Sequence, residues 1–418
     1  MVLEIRLSNF YSIKDEISLD LRAGNINTQK SKALKNNLFN FGKTKVLKTV
    51  ALYGANASGK SNIIRAIRFC NAMVFTSHMH NENAVFNFQP FKFKGYPQKP
   101  STYFIRFVSN NVEYEYSFSL TRTEIMTESL YYYPKGRRAK IFTRDEQRGK
   151  TKKEIYSFGT VIKRPMDVAE NTSRKTLYIS RASQMDRTVG KEIFNYFNNT
   201  FILGYVGFNA RTVEILFKEN KEPLLQALKM ADSDIIDIKM KKELHKVKNY
   251  KTDFISNQMS VEDVEKEFLR ITAYHKFSPK TPFDFNTEES DGTKMLFFMM
   301  LTILDIIKNN KILIIDEIES SLHTSIIEYI IGVFNASRQA QLIYSTHNTK
   351  LLNLNKLRKD QIFFVNKKDD ASTDLYSLYD YSDFRDTMDV EKAYLQGRFD
   401  AIPFLNDSIE NIKELINE

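Results

Sequence analysis

The chain has 418 residues, 42% hydrophobic and 27% charged, with a formal net charge of +10 and a single cysteine. That length buries a large core and divides into two or three structural units, while no stretch approaches the roughly 20 apolar residues that span a bilayer. Cys70 alone excludes an intrachain disulfide and fits a reducing cytoplasm, and the opening Met1-Val2-Leu3-Glu4-Ile5-Arg6 lacks a basic region followed by an apolar one, so secreted and membrane classes are set aside.

The first informative element is the apolar run Val50-Ala51-Leu52-Tyr53, followed by Gly54-Ala55-Asn56-Ala57-Ser58-Gly59-Lys60-Ser61 and a helix-compatible stretch over 62–70 that starts at Asn62. Strand, G-x-x-x-x-G-K-S loop and helix form a phosphate-binding loop. Its backbone N–H groups wrap phosphates, Lys60 reaches the β- and γ-phosphates, and the Ser61 hydroxyl can ligate Mg²⁺. His78 and His80 have no Cys or further His nearby and read as a loop pair.

Downstream, Val112, Tyr114, Tyr116, Phe118 and Leu120 alternate with Glu113, Glu115, Ser117 and Ser119, the period of a half-buried strand. With 103–108 across Ser109-Asn110-Asn111, they form a hairpin of an antiparallel β subdomain. Positive charge gathers at 135–140, at 148–153 and above all at 239–251, where six lysines accompany one glutamate. Such clusters suit either a nucleic-acid surface or a solvated face, with equal weight.

Residues 165–275 change character and are read as an inserted helical arm. Glu222-Pro223 opens a helix with Pro in its first turn, and Ser260-x-x-Asp263 opens another with a capping pattern. Sustained heptads are absent, which excludes a long coiled coil. Asp232-Ser233-Asp234 has the spacing of a metal-binding pair, but it has no preceding apolar strand and reads as a cap; nuclease activity is not expected of this chain.

Next comes Glu289-Ser290-Asp291-Gly292-Thr293 before an apolar helix over 295–307, a turn offering a hydroxyl and free N–H groups to an anion. Lys311-Ile312-Leu313-Ile314-Ile315-Asp316-Glu317 reads as a buried parallel strand ending in two carboxylates, placed where ligands bind in open α/β sheets. Asp316 would hold Mg²⁺ through water and Glu317 would polarise the attacking water. Glu319-Ser320-Ser321-Leu322-His323 and a further strand ending at His347 complete the series.

In this order the motifs resemble the ATP-binding-cassette (ABC) ATPases of the SMC/RecF/OLD type. The resemblance implies an α/β ABC-type P-loop head with a β subdomain, built from 1–164 and 276–418 around the arm. It makes Ser290 and Gly292 the signature, with Asp291 departing from the usual glycine, 320–323 the D-loop and His347 the switch. Gln89 is taken as the Q-loop metal ligand, with Gln98 as alternative. A closer resemblance, carried by 3–21, Pro90-Phe91-Lys92-Phe93, 289–296, 360–365 and 394–403, is to RloA/AbiL-type ATPases of bacterial anti-phage defence loci. It implies ATP and Mg²⁺ as cofactors and a homodimer with composite ATP sites, open to higher assembly. It also implies a partner effector of the Toprim-like RloB type; a RecF-like DNA repair ATPase is the alternative.

Overall fold

The computed structural model describes residues 1–93, 95–204, 210–231, 233–253, 258–320, 322–385 and 387–402. The chain divides into two compact units: one comprises 1–204, 310–319 and 330–418, the other 205–309 and 320–329.

The first unit contains two sheets. Five parallel strands lie in the order Phe201–Leu203, Ile312–Ile315, Gln341–Thr346, Thr49–Tyr53, Ile362–Lys367, with Thr373–Ser377 antiparallel at the edge. Every residue of Thr49–Tyr53, Ile312–Ile315 and Gln341–Thr346 is buried, which is why these segments read as unbroken apolar runs rather than alternating ones. The parallel pairing brings their carboxyl ends to one edge.

The second sheet is antiparallel, in the order Tyr156–Phe158, Ala139–Asp145, Ile125–Tyr132, Val112–Leu120, Ser101–Ser109, Val2–Ser8, Ile17–Asp20. The expected hairpin is present, and its turn residues Asn110 and Asn111 both adopt the left-handed region, with φ of 48° and 61°. Asn tolerates that conformation, and two such residues give the turn whose twist matches the strands. Glu115 departs from the alternation: it is buried and takes up Arg138 at 2.7 Å, the Tyr133 hydroxyl at 2.6 Å and Arg106. The helix Lys60–Thr76 buries Ile63, Ile67, Cys70 and Val74 in the core shared by the strands of both sheets. Burial also pushes the Cys70 thiol well above its ordinary range.

The second unit pairs the helices Ala210–Met230 and Asp291–Lys308, with Phe297 in tilted ring contacts with Phe217 and Phe285 and edge-on to Phe298. Between them runs a long antiparallel hairpin, Ile235–Asp253 against Gln258–His275, followed by Ser278–Asp284.

This corrects the expected helical arm in two ways. Residues 165–204 fold with the first unit, as the helices Pro165–Glu170, Tyr178–Gln184 and Thr188–Thr200 and the strand Phe201–Leu203. And Ser260-x-x-Asp263 begins no helix; it lies inside the strand Gln258–His275. A helix cap contributes about 1 kcal/mol, and each cross-strand pair contributes roughly 0.2–1 kcal/mol, so a register running from Ile235–His275 to Asp253–Gln258 outweighs the local signal.

Pro223 lies three residues past Asn220, whose φ of −131° breaks the helix Ala210–Met230, so it occupies the first turn of the second segment, where its missing N–H is tolerated. Asp232 lies outside the described residues; Asp234 immediately precedes the hairpin, and its carbonyl accepts the Lys276 N–H at 3.0 Å. Among the described residues no helix is long and apolar enough to cross a membrane.

Candidate nucleotide site

The loop after Thr49–Tyr53 is shaped by two glycines. A Cβ on Gly54 would stand 2.2 Å from the Val365 carbonyl oxygen, and Gly59, at φ +114°, has Thr373 Oγ1 2.0 Å from where a Cβ would be. Both glycines are therefore required by close approach.

Behind the loop, Thr373 Oγ1 donates to the Ser58 carbonyl at 3.0 Å and shares a 2.7 Å hydrogen bond with Ser12, whose hydroxyl accepts Asn62 Nδ2 at 2.8 Å. Ser12 and Thr373 escaped the sequence reading because each is an ordinary residue far from the motif. Lys60 is 4% exposed and donates to the carbonyls of Gly54 and Ala55 at 2.8 and 3.0 Å. Burial lowers it to about 8, while Asp316, Glu317 and Glu319 act in the opposite direction.

The carboxylate pair follows Ile312–Ile315 directly. Glu317 adopts a left-handed φ of +52°, a turn that leaves it exposed. The neighbouring strand fixes this turn: Ser345 Oγ accepts the Glu317 N–H at 2.8 Å and donates to Asp316 Oδ1, while the Ser345 carbonyl accepts the Ile318 N–H at 3.1 Å. Ser345 is a further residue that no motif marked. At the end of that strand the His347 N–H donates to Glu319 Oε1 at 2.5 Å. Burial, then Lys60, lower the His347 imidazole, opposed by Glu319, Glu317 and Asp316. Lys60, Asp316, Glu317 and His347 thus share one electrostatic neighbourhood.

The residues fit ATP and Mg²⁺. Ser58 is 1% exposed and its Oγ has no hydrogen-bond partner, a buried polar atom left over beside a loop of N–H groups at a helix N-terminus. Ser61 and Asp316 offer the hard oxygen ligands that Mg²⁺ takes.

Gln89 is exposed. Its carbonyl accepts the Tyr11 N–H at 2.7 Å, and the residue lines a cleft of about 730 Å³ with Arg65 and Arg68. Gln98 is exposed in the short helix Tyr96–Gln98. His78 and His80 bond separately, to Ser180 Oγ at 3.0 Å and the Lys175 carbonyl at 3.2 Å.

The remaining motif residues belong to the second unit. Ser290 is the N-cap of Asp291–Lys308, its Oγ accepting the Thr293 N–H at 3.0 Å. Among the described residues a Cβ on Gly292 would meet only Ser290 Oγ, at 3.8 Å, so nothing there demands a glycine. Ser290 and Gly292 line a cleft of about 460 Å³ with His275, Glu289 and His323, and His275 Nε2 lies 2.6 Å from Glu289 Oε1. Of the D-loop, Ser321 lies outside the described residues.

Residues 50–353 match the family profile described as "AAA domain, putative AbiEii toxin, Type IV TA system". A search of curated proteins finds no match. Among solved structures, the chain is similar to the SMC head domain from Thermotoga maritima, at 15% identity and TM-score 0.40, covering 90% of this chain and 98% of that one. It is also similar to an SmcHead bound to the C-winged helix domain of ScpA, at 17% identity and TM-score 0.39, covering 94% and 99%. With the glycine loop, the carboxylate pair and the strand Gln341–Thr346 all inside the matched span, the chain belongs to this AAA-domain family.

Proposed function

We propose that this chain is an ABC-type ATPase that binds ATP with Mg²⁺, hydrolyses it as a nucleotide-dependent homodimer, and acts as sensor or regulator of a Toprim-like partner effector in anti-phage defence. The observation that carries the enzymatic part is the convergence of Lys60, Asp316, Glu317 and His347 at the carboxyl ends of three adjacent parallel strands. Bound Mg²⁺–ATP supplies a phosphoanhydride that in-line attack by water cleaves. The loop N–H groups and Lys60 would hold the β- and γ-phosphates, Ser61 and, through water, Asp316 would hold the metal, Glu317 would orient and deprotonate the attacking water, and His347 would act as the switch residue. Ser290 and Gly292 of the partner subunit would close the site, a role that gives the unconstrained Gly292 a purpose.

The defence role is supported by the RloA/AbiL resemblance and by a family description that names a toxin–antitoxin system. The RecF-like alternative leans on the basic run 239–251. There the facing strand sets Asp263 opposite Lys248 and Glu265 opposite Lys246, and Lys242 pairs with Glu214 and Glu267 at 2.9 and 3.4 Å. Lys242 is thus ion-paired and Lys246 and Lys248 stand opposite carboxylates, which lowers the positive field a nucleic acid would meet there.

The test is Glu317→Gln, which keeps the shape of the site and removes the base. Turnover should fall by about 10²-fold or more, and the variant should run as an ATP-dependent dimer by light scattering. Ser290→Arg placed in the same background should abolish the dimer while nucleotide binding persists. A dimer of unchanged affinity in the double variant would sink the composite site.

A further inference from the structure

Glu319 lies two residues beyond Glu317, and its carboxylate is divided between two jobs. Oε1 accepts the main-chain N–H of His347 at 2.5 Å. Oε2 is buried and has no hydrogen-bond partner. Among the other buried polar atoms in that condition are the hydroxyls of Tyr53 and Tyr344, in residues 1% and 0% exposed.

The register pairs Tyr344 with Ala51 and Thr346 with Tyr53, so by the two-residue period both tyrosines stand on one face of the parallel sheet. Burial first, and the charge of Glu319 among the further causes, hold both phenols above their ordinary range. A carboxylate oxygen needs a donor and each phenol needs an acceptor. Leaving all three unpaired inside the protein would be costly, and one shared water satisfies the set.

We propose that Glu319 is a positioning residue for hydrolysis. One oxygen fixes the main chain of His347, and the other is anchored to the Tyr53 and Tyr344 hydroxyls through a shared water, so the switch histidine is held by a carboxylate that is itself held. The turn carrying Glu317 and the strand end carrying His347 then form one hydrogen-bonded assembly, which Ser345 closes from the other side. This rests on the reading of His347 as the residue that meets the γ-phosphate; the link between Glu319 and the His347 N–H stands apart from it.

Hydrogen exchange on the nucleotide-free protein tests that link without any turnover. Glu319→Ala should speed exchange in the peptide containing His347 by about tenfold, the loss of one hydrogen bond, with the rest of the chain unchanged. Glu319→Gln, whose amide oxygen still accepts, should exchange like wild type. In steady-state kinetics Glu319→Ala should lower kcat about tenfold with nucleotide affinity within about twofold, and add nothing to the loss caused by His347→Ala. Should the Ala variant not fold, Glu319→Leu, of similar bulk and without an acceptor, carries the same expectations.

Unchanged exchange in the acceptor-free variant overturns the proposal, as does a Gln variant as damaged as Ala, or losses additive with His347→Ala. A wild-type protein that turns over no ATP would remove the proposed function instead, and the exchange result would still decide whether Glu319 holds His347.

Discussion

Lys60 illustrates how one side chain is set by opposing forces. Burial strips its ammonium of water and lowers it to about 8, and three nearby carboxylates recover only part of that loss. The protonated form is the one that binds a phosphate, so ATP affinity should be level below neutral pH and decline once pH passes about 8, by up to about tenfold per unit. A fluorescent ATP analogue titrated across this range reads the effect directly. Lys60→Arg, which keeps its charge, should show a flat profile, and Lys60→Ala should not bind detectably. Normal turnover by the Ala variant would show that the loop is not the phosphate site. This residue was legible in the sequence because the loop chemistry is local: strand, glycines, lysine and helix are contiguous. Ser12, Ser345 and Thr373 were not, since each acts on the loop or the carboxylate turn from a distant part of the chain.

At the scale of elements, the short helix Tyr178–Gln184 has no side-chain cap of its own. Glu128, from the antiparallel sheet, accepts the N–H groups of Tyr178 and Ile179 at 2.5 and 3.1 Å and the Tyr116 hydroxyl at 2.9 Å. It is 1% exposed, and burial raises its carboxyl despite Arg144, whose own guanidinium bonds Glu146 at 2.7 Å and the Thr176 and Ser173 carbonyls. Removing one member of a buried charged network costs about 3–5 kcal/mol, because the remaining charge is left uncompensated. Glu128→Ala should therefore lower the urea midpoint of the first unit strongly, whereas Glu124→Ala, which removes only a half-exposed ion pair with Arg174, should shift it little; equal midpoints would show that the network contributes no net stability.

For the whole molecule, the proposed function gives hydrolysis to this chain and killing to a partner. Purified protein with ATP and Mg²⁺ or Mn²⁺ should leave DNA and tRNA intact. Addition of the Toprim-like effector should bring nucleotide-dependent cleavage, and hairpin charge reversals at Lys246 and Lys248 test whether the arm contributes to docking. Robust cleavage by this chain alone, lost on Asp232→Ala, would overturn the two-component reading.

The glycine loop and the parallel sheet beneath it were legible in the sequence, because unbroken Val/Ile/Leu runs, a glycine loop and paired carboxylates each encode their structure within a few residues. Only the tertiary structure decided that the arm is a hairpin, since the helix-like start at Ser260 is a local preference and the strand pairing that overrides it involves residues far apart in the chain. The same holds for Glu319: its role depends on where the Gln341–Thr346 strand ends, a place fixed by sheet register and invisible in the order of residues.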